Sequence, residues 1–185
     1  MKKMILAFIA PLAAVSAMAQ TSPLWMRFPA ISPDGQTVAF SYKGDIWTVP
    51  AKGGQARQIT TNPAYDAYPV WSPDSRQIAF ASSREGSMDI YVVGRDGGSP
   101  RRVTTDSGDE YPMAWRNDST ILLKASIMPK ATSIMFADFS QVYEVSSNGG
   151  RMRLFSDIPM EDISVGNNGA MLYHDNKGYE DPFRK

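Results

Sequence analysis

A ten-residue block returns along this chain, and a returning block constrains the fold more than any single residue does. Ile31-Ser32-Pro33-Asp34-Gly35-Gln36-Thr37-Val38-Ala39-Phe40 recurs as Trp71-Ser72-Pro73-Asp74-Ser75-Arg76-Gln77-Ile78-Ala79-Phe80. Fainter copies are Trp115-Arg116-Asn117-Asp118-Ser119-Thr120-Ile121-Leu122-Leu123 and the stretch from Ile163 to Tyr173. Counted at Ser32, Ser72, Arg116 and Ser164, the spacings are 40, 44 and 48. A second block keeps step: Asp45-Ile46-Trp47-Thr48-Val49, Asp89-Ile90-Tyr91-Val92-Val93 and Gln141-Val142-Tyr143-Glu144-Val145. A glycine pair follows each, at Gly53-Gly54, Gly97-Gly98 and Gly149-Gly150. Basic residues and a short apolar strand close the unit, as in Arg57-Gln58-Ile59-Thr60 and Arg101-Arg102-Val103-Thr104.

Each unit reads as four short strands joined by three turns. In Ser32-Pro33-Asp34-Gly35, proline presets φ for the first turn position, aspartate bonds its local backbone, and glycine tolerates the left-handed position that follows. Ser75 stands where Gly35 does, a replacement that costs on the order of 1 kcal/mol if the position is left-handed. Thr37–Phe40 and Gln77–Phe80 have the residue types and length of strands. The glycine pair suits a two-residue hairpin with positive φ at both central positions. No window shows a sustained helical period; Met135–Phe139 reads equally as a loop tip or a short helical turn. Four strands in about 40 to 45 residues is the size of a propeller blade. One blade cannot bury both its faces, so blades stack side by side around an axis. Phe28, Tyr68 and Tyr111, each followed by proline, recur ahead of the turn block, and Trp71 and Trp115 share one register with Ile31 and Ile163. These aromatics are assigned first to packing between blades, with ligand stacking as the alternative.

The first nineteen residues stand apart. Lys2 and Lys3 precede an apolar run from Met4 to Val15, and Ala17-Met18-Ala19 supplies a small-x-small cleavage pattern. The run is too short for a helix across about 30 Å of hydrocarbon. The sequence therefore predicts a signal peptide over 1–19, cleavage after Ala19, an exported, periplasmic mature chain and no membrane span after its removal. That chain carries 17 basic and 19 acidic residues, a net charge of −2, which removes the electrostatic case for nucleic acid. Without cysteine there is no disulfide, iron–sulfur cluster or thiolate zinc site.

Candidate chemistry is thin. His174, the single histidine, neighbours Asp175, but on a strand the two point to opposite faces and do not pair. A triad needs base, acid and nucleophile meeting in space, and no G-x-S-x-G elbow surrounds any serine. Asp106, Asp109 and Glu110 lack the spaced ligands of a calcium loop and read as a solvated turn. Asp34-Gly35 and Asp96-Gly97-Gly98 read as turns, not phosphate cradles. No catalytic residue, metal site or cofactor is expected.

The blocks [W/I]-S-P-D-[G/S]-x-x-[V/I]-A-F and D-I-[W/Y]-x-V with their glycine pairs resemble the propeller repeats of TolB and of tricorn-type proteases. Pro23–Gly35, Thr60–Trp71 and Leu172-Tyr173-His174-Asp175 leading into Lys177–Pro182 look closest to the bacterial tricorn-like serine peptidases. The resemblance spans 20–185 and implies an all-β, TolB/tricorn-type propeller of about three and a half four-stranded blades, with repeats at roughly 24–60, 64–104, 108–155 and 159–185. It implies a non-catalytic substrate-access or docking segment that meets peptides or protein partners, with the PDZ-like module and catalytic core lying in a missing remainder of the parent chain. A TolB-like periplasmic binding module with no enzyme attached is the alternative, and a ligand-free scaffold a third reading. An incomplete ring further implies association when expressed alone, through open faces carrying Trp71, Phe80, Trp115 and Phe155.

Overall fold

A computed structural model describes residues 25–125 and 141–175 apart from 157, 159 and 167; the expected signal peptide over 1–19, Met135–Phe139 and Lys177–Pro182 fall outside them. The described residues contain strands and no helix. Blade 1 comprises β1 (Arg27–Ile31), β2 (Thr37–Tyr42), β3 (Asp45–Pro50) and β4 (Arg57–Gln58). Blade 2 comprises β5 (Asp66–Trp71), β6 (Gln77–Glu85), β7 (Ser87–Gly94) and β8 (Gly97–Arg102). Blade 3 comprises β9 (Glu110–Asn117), β10 (Thr120–Ala125), β11 (Gln141–Ser146) and β12 (Arg153–Ser156). A half blade follows, β13 (Met160–Val165) paired with β14 (Met171–Asp175). Every sheet is an antiparallel meander in chain order, so the all-β propeller reading holds at about three and a half blades.

The two-residue period of a strand explains how one blade serves two neighbours. On β6, Ile78 and Phe80 pack toward blade 1 with Ala39, Ile46 and Ile59, while Ala79 between them packs toward blade 3 with Trp115, Ile121 and Leu123. On β10 the alternation repeats: Ile121 and Leu123 face blade 2, and Leu122 faces the half blade with Val142, Met160 and Ile163. Trp71, Phe80 and Trp115 are therefore buried between blades and do not line open faces, because their neighbours on both sides are present. The exposed large side chains at the ends of the stack are Ile31 on blade 1 and Leu172 and Tyr173 on the half blade, at 57, 78 and 50% exposure. Phe155 is half-buried, with the Arg116 guanidinium 5.3 Å from its ring centroid.

The first two junctions are each pinned by an indole. Trp71 Nε1 donates to the Ala30 carbonyl at 3.0 Å, and Trp115 Nε1 to the Val70 carbonyl at 3.2 Å. Burying a tryptophan requires a partner for its N–H, and the preceding blade's first strand supplies it.

The turns follow the sequence in one case and depart from it in another. Gly35 N donates to Ser32 O and Ser75 N to Ser72 O, closing four-residue turns whose last residue is left-handed, at φ 68° and 60°. The glycine pairs are not the central residues of two-residue hairpins. Gly53 N donates to Pro50 O and Gly149 N to Ser146 O. The central positions are thus Ala51-Lys52 and Ser147-Asn148, without positive φ, and the first glycine takes the left-handed residue after the turn. Gly97 does the same after Arg95-Asp96, pairing with Gly94. A type I turn needs that left-handed residue to rejoin the ladder as a G1 bulge.

Candidate functional site

The first strand of each blade lies beside the first strand of the next, from β1 through β5 and β9 to β13, so these strands together line the inner side of the stack. Their pairing with the second strands is interrupted at the aromatic–proline dipeptides. Between Arg27 and Ala30, and again between Ala67 and Val70, one extra residue bulges from the first strand. Proline has no N–H to give the ladder, and a bulge is where it is tolerated.

At two of these bulges the residue before proline takes a conformation that its successor disfavours. Phe28 has φ 53° and Tyr68 φ 58°, although a pre-proline residue belongs in the extended region. Such backbone costs on the order of 1–3 kcal/mol per residue and persists only where its surroundings hold it. Its effect is to bring the rings together. The Phe28 and Tyr68 centroids lie 3.9 Å apart, and Tyr111 meets Tyr68 edge-on at 5.2 Å.

The three rings with Pro29, Pro69 and Pro112 form one wall of a cleft of about 730 Å³. Asp109, Lys124, Glu161 and Asp162 supply its polar groups. Lys124 Nζ is 3.1 Å from Glu161 Oε2. Asp109 Oδ1 accepts the Met88 N–H at 2.9 Å, and Asp162 Oδ1 that of Ile163 at 2.8 Å. Burial, reinforced by the Asp109 charge, pushes the Tyr111 phenol above its ordinary range, so it stays neutral. The aromatic–proline residues are thus not inter-blade core as the sequence suggested. Phe28 and Tyr111 are half-buried and Tyr68 is 36% exposed; the bulges redirect Phe28 and Tyr68, and Tyr111 packs edge-on against Tyr68. The indole register, Trp71 and Trp115, is the true core set.

A second polar group lies outside the cleft lining. Asp66, Asp89 and Glu110 are fully buried. The Arg84 guanidinium is 2.8 Å from Asp66 and that of Arg102 2.9 Å from Asp89, while Glu110 accepts the Thr104 hydroxyl at 3.0 Å. Burial pushes the Glu110 carboxyl up to about 7, with Asp89 and Asp106 adding to it against the Thr104 hydrogen bond. The turn reading of Asp106, Asp109 and Glu110 therefore fails at Glu110, which opens β9 and is buried, whereas Asp109 is exposed and Asp106 half-buried. Among the described residues no three His, Cys, Asp or Glu side chains are grouped to hold a metal. His174 is exposed on β14, opposite Asp162 across the strand pair, and Asp175 follows it along the same strand.

Sequence reasoning missed Lys124, Glu161 and Asp162, which repeat nothing. The signal that was available is the acid that precedes each later aromatic–proline pair, in Asp66-Ala67-Tyr68-Pro69 and Asp109-Glu110-Tyr111-Pro112.

Comparison with known proteins agrees with this architecture. Putative TolB from Agrobacterium tumefaciens superposes with a TM-score of 0.70 at 17% identity, covering 85% of this chain and 56% of that one. The tricorn protease superposes at 0.67 and 21% identity, with 82% of this chain and 15% of that one covered. Oligogalacturonate lyase from Vibrio parahaemolyticus gives 0.59 at 14%, covering 79% and 45%. The chain thus spans little more than half of the TolB chain and a small part of the protease. No match is found among curated protein sequences. The model of the tricorn protease N-terminal beta propeller domain matches residues 23–185, and the chain belongs to that family.

Proposed function

We propose that this chain is a non-catalytic, exported propeller segment whose axial cleft docks extended peptides, serving as the substrate-access element of a tricorn-like serine peptidase. The observation that carries the reading is the cleft itself: Phe28 and Tyr68 are held in strained backbone and assembled with Tyr111 into one aromatic wall. Strain of this kind is retained where it positions side chains for a ligand. The family match supports the peptidase context. Export rests on the charged and apolar pattern of residues 1–19.

The test is fluorescence anisotropy of labelled extended peptides with the wild-type chain and with Tyr68→Ala and Tyr111→Ala. Micromolar binding that weakens at least tenfold in both variants supports docking at the cleft; binding indifferent to both rejects it. Intact mass of the protein from the host envelope tests export, and retention of Met1–Ala19 would overturn it. The TolB-like reading, a periplasmic protein-binding module with no enzyme, is favoured by the superposition on putative TolB. The coding sequence beyond codon 185 separates the two. A PDZ-like and serine peptidase region there supports the first, and a stop after further blades the second.

A further inference from the structure

The axial cleft is lined by both aromatic rings and acidic groups, and the balance of its charges limits what it can hold. Among the described residues, three carboxylates, Asp109, Glu161 and Asp162, line it against one ammonium, Lys124. Lys124 is already engaged by Glu161 at 3.1 Å. Among the described residues, neither Asp109 nor Asp162 is in an ion pair, and each has an oxygen on a backbone N–H. The aromatic rings add to the same sign, since ring faces carry negative potential and attract cations within about 6 Å.

We infer that the occupant of this cleft is an arginine or lysine side chain carried on an extended peptide, a reading that rests on the docking role proposed above. An acidic peptide would meet excess negative charge. A neutral apolar peptide would strip water from Asp109 and Asp162 and replace none of their interactions, which burial penalises. A cationic side chain meets both kinds of group, its charge with the carboxylates and its stem or guanidinium plane with the rings. Arginine is preferred to lysine, because its planar, weakly hydrated guanidinium stacks on aromatic faces and binds carboxylates in a fork.

The experiment uses the full chain and four labelled peptides, identical except for one central residue: Arg, Lys, Gln or Glu. Expected affinities fall in that order, with Arg over Glu by roughly tenfold or more and the gap narrowing as salt rises. The variant Asp109→Asn with Asp162→Asn keeps both backbone-accepting oxygens and therefore the fold. It should bring the Arg peptide to within about twofold of the Gln peptide. Binding that depends on Tyr68 yet is equal for all four peptides would overturn the cationic occupant and leave docking standing. A Glu peptide that binds tightest would also overturn it. No binding by any peptide would overturn both.

Discussion

Two successive junctions between blades are built to one plan and differ in where an arginine sits. At the first, the Thr60 hydroxyl accepts the Ile46 N–H at 2.9 Å and lies 3.2 Å from Asp45. At the second, the Thr104 hydroxyl accepts the Ile90 N–H at 2.8 Å and lies 3.0 Å from Glu110. Each junction then places a buried acid at the start of the next blade, Asp66 or Glu110. Arg84 gives Asp66 a cation, whereas Arg102 serves Asp89, the acid of the preceding blade. Glu110 is left with a hydroxyl for its partner and is pushed up to about 7. The lesson is that a repeat keeps a hydrogen-bonding scaffold while the placement of a single cation changes from one junction to the next, and Glu110, buried without one, is pushed up.

The strongest way to break the comparison is to remove what the junctions share. Trp71→Ala and Trp115→Ala each delete a buried ring and its bond to the preceding blade, and should each cost about 3–5 kcal/mol by denaturant midpoint. Trp71→Phe and Trp115→Phe keep most of the packing and strand a carbonyl, for about 1–2 kcal/mol. The junction to the half blade has Ile163 at this register and no indole, so Ile163→Val should cost only about 1 kcal/mol. A larger loss there than at Trp115 would show that the junctions are not ranked by their indoles.

The second prediction isolates the charge. The folded Glu110 carboxyl, at about 7, lies above its ordinary value of 4.5. Between those values the folded state holds more protons than the unfolded state, so stability falls as pH rises from about 4.5 to 7 and levels off above. The shift corresponds to about 3 kcal/mol as an upper figure. Asp45 and Asp89, also raised by burial, act in the same direction. Asp34 acts oppositely: Ser32 and Arg95 hold it down at about 2, so its contribution is lost only as pH falls toward that value. Glu110→Gln keeps an acceptor for Thr104 and should flatten most of the slope, making the variant more stable than wild type at pH 8. Melting temperatures from pH 5 to 8 check it, and an unchanged slope in the variant would place the titration elsewhere. Asp66→Asn leaves Arg84, whose side chain is only 12% exposed, without its counter-charge and should destabilise by about 3 kcal/mol.

Much of this architecture was legible because repeats turn local chemistry into a register. The Ser-Pro-Asp block gave the turns, residue types and segment lengths gave the strands, and Trp71 and Trp115 gave the core. What sequence could not supply was the consequence of a bulge. Phe28, Tyr68 and Tyr111 look like any buried aromatics until left-handed backbone at Phe28 and Tyr68 brings those two rings together, with Tyr111 meeting Tyr68 edge-on. The glycine pairs misled because positive φ is needed after a type I turn as well as inside a type I′ turn. Glu110 misled because an acid beside Asp109 reads as solvated, whereas the strand alternation sends it inward. The charged groups of the cleft come from blade 3 and the half blade, where Lys124, Glu161 and Asp162 repeat nothing and are brought together only by the packing of one blade on the next.

The smallest effects lie at the turns that face one another across the first junction. Gly35 is left-handed at φ 68° with nothing within 4 Å of where a Cβ would stand. Gly35→Val therefore tests backbone strain alone and should cost about 1–2 kcal/mol. Ser75 occupies the same turn position at φ 60°, and its sequence alone argues that Ser75→Gly stabilises. The structure adds an opposing term: Ser75 is buried, and its hydroxyl accepts the Asp34 N–H of the preceding blade at 3.1 Å. Asp118 does the same for the Asp74 N–H at the next junction, also at 3.1 Å. Ser75→Gly relieves about 1 kcal/mol of strain and loses a hydrogen bond of about the same worth, so its net change should stay within about 0.5 kcal/mol. Ser75→Ala keeps the strain and loses the bond, and should cost about 1 kcal/mol. The gap between the two variants reads the strain directly. If Ser75→Gly were stabilising by a full 1 kcal/mol, the hydroxyl would contribute nothing and the blades would be joined at this turn by packing alone.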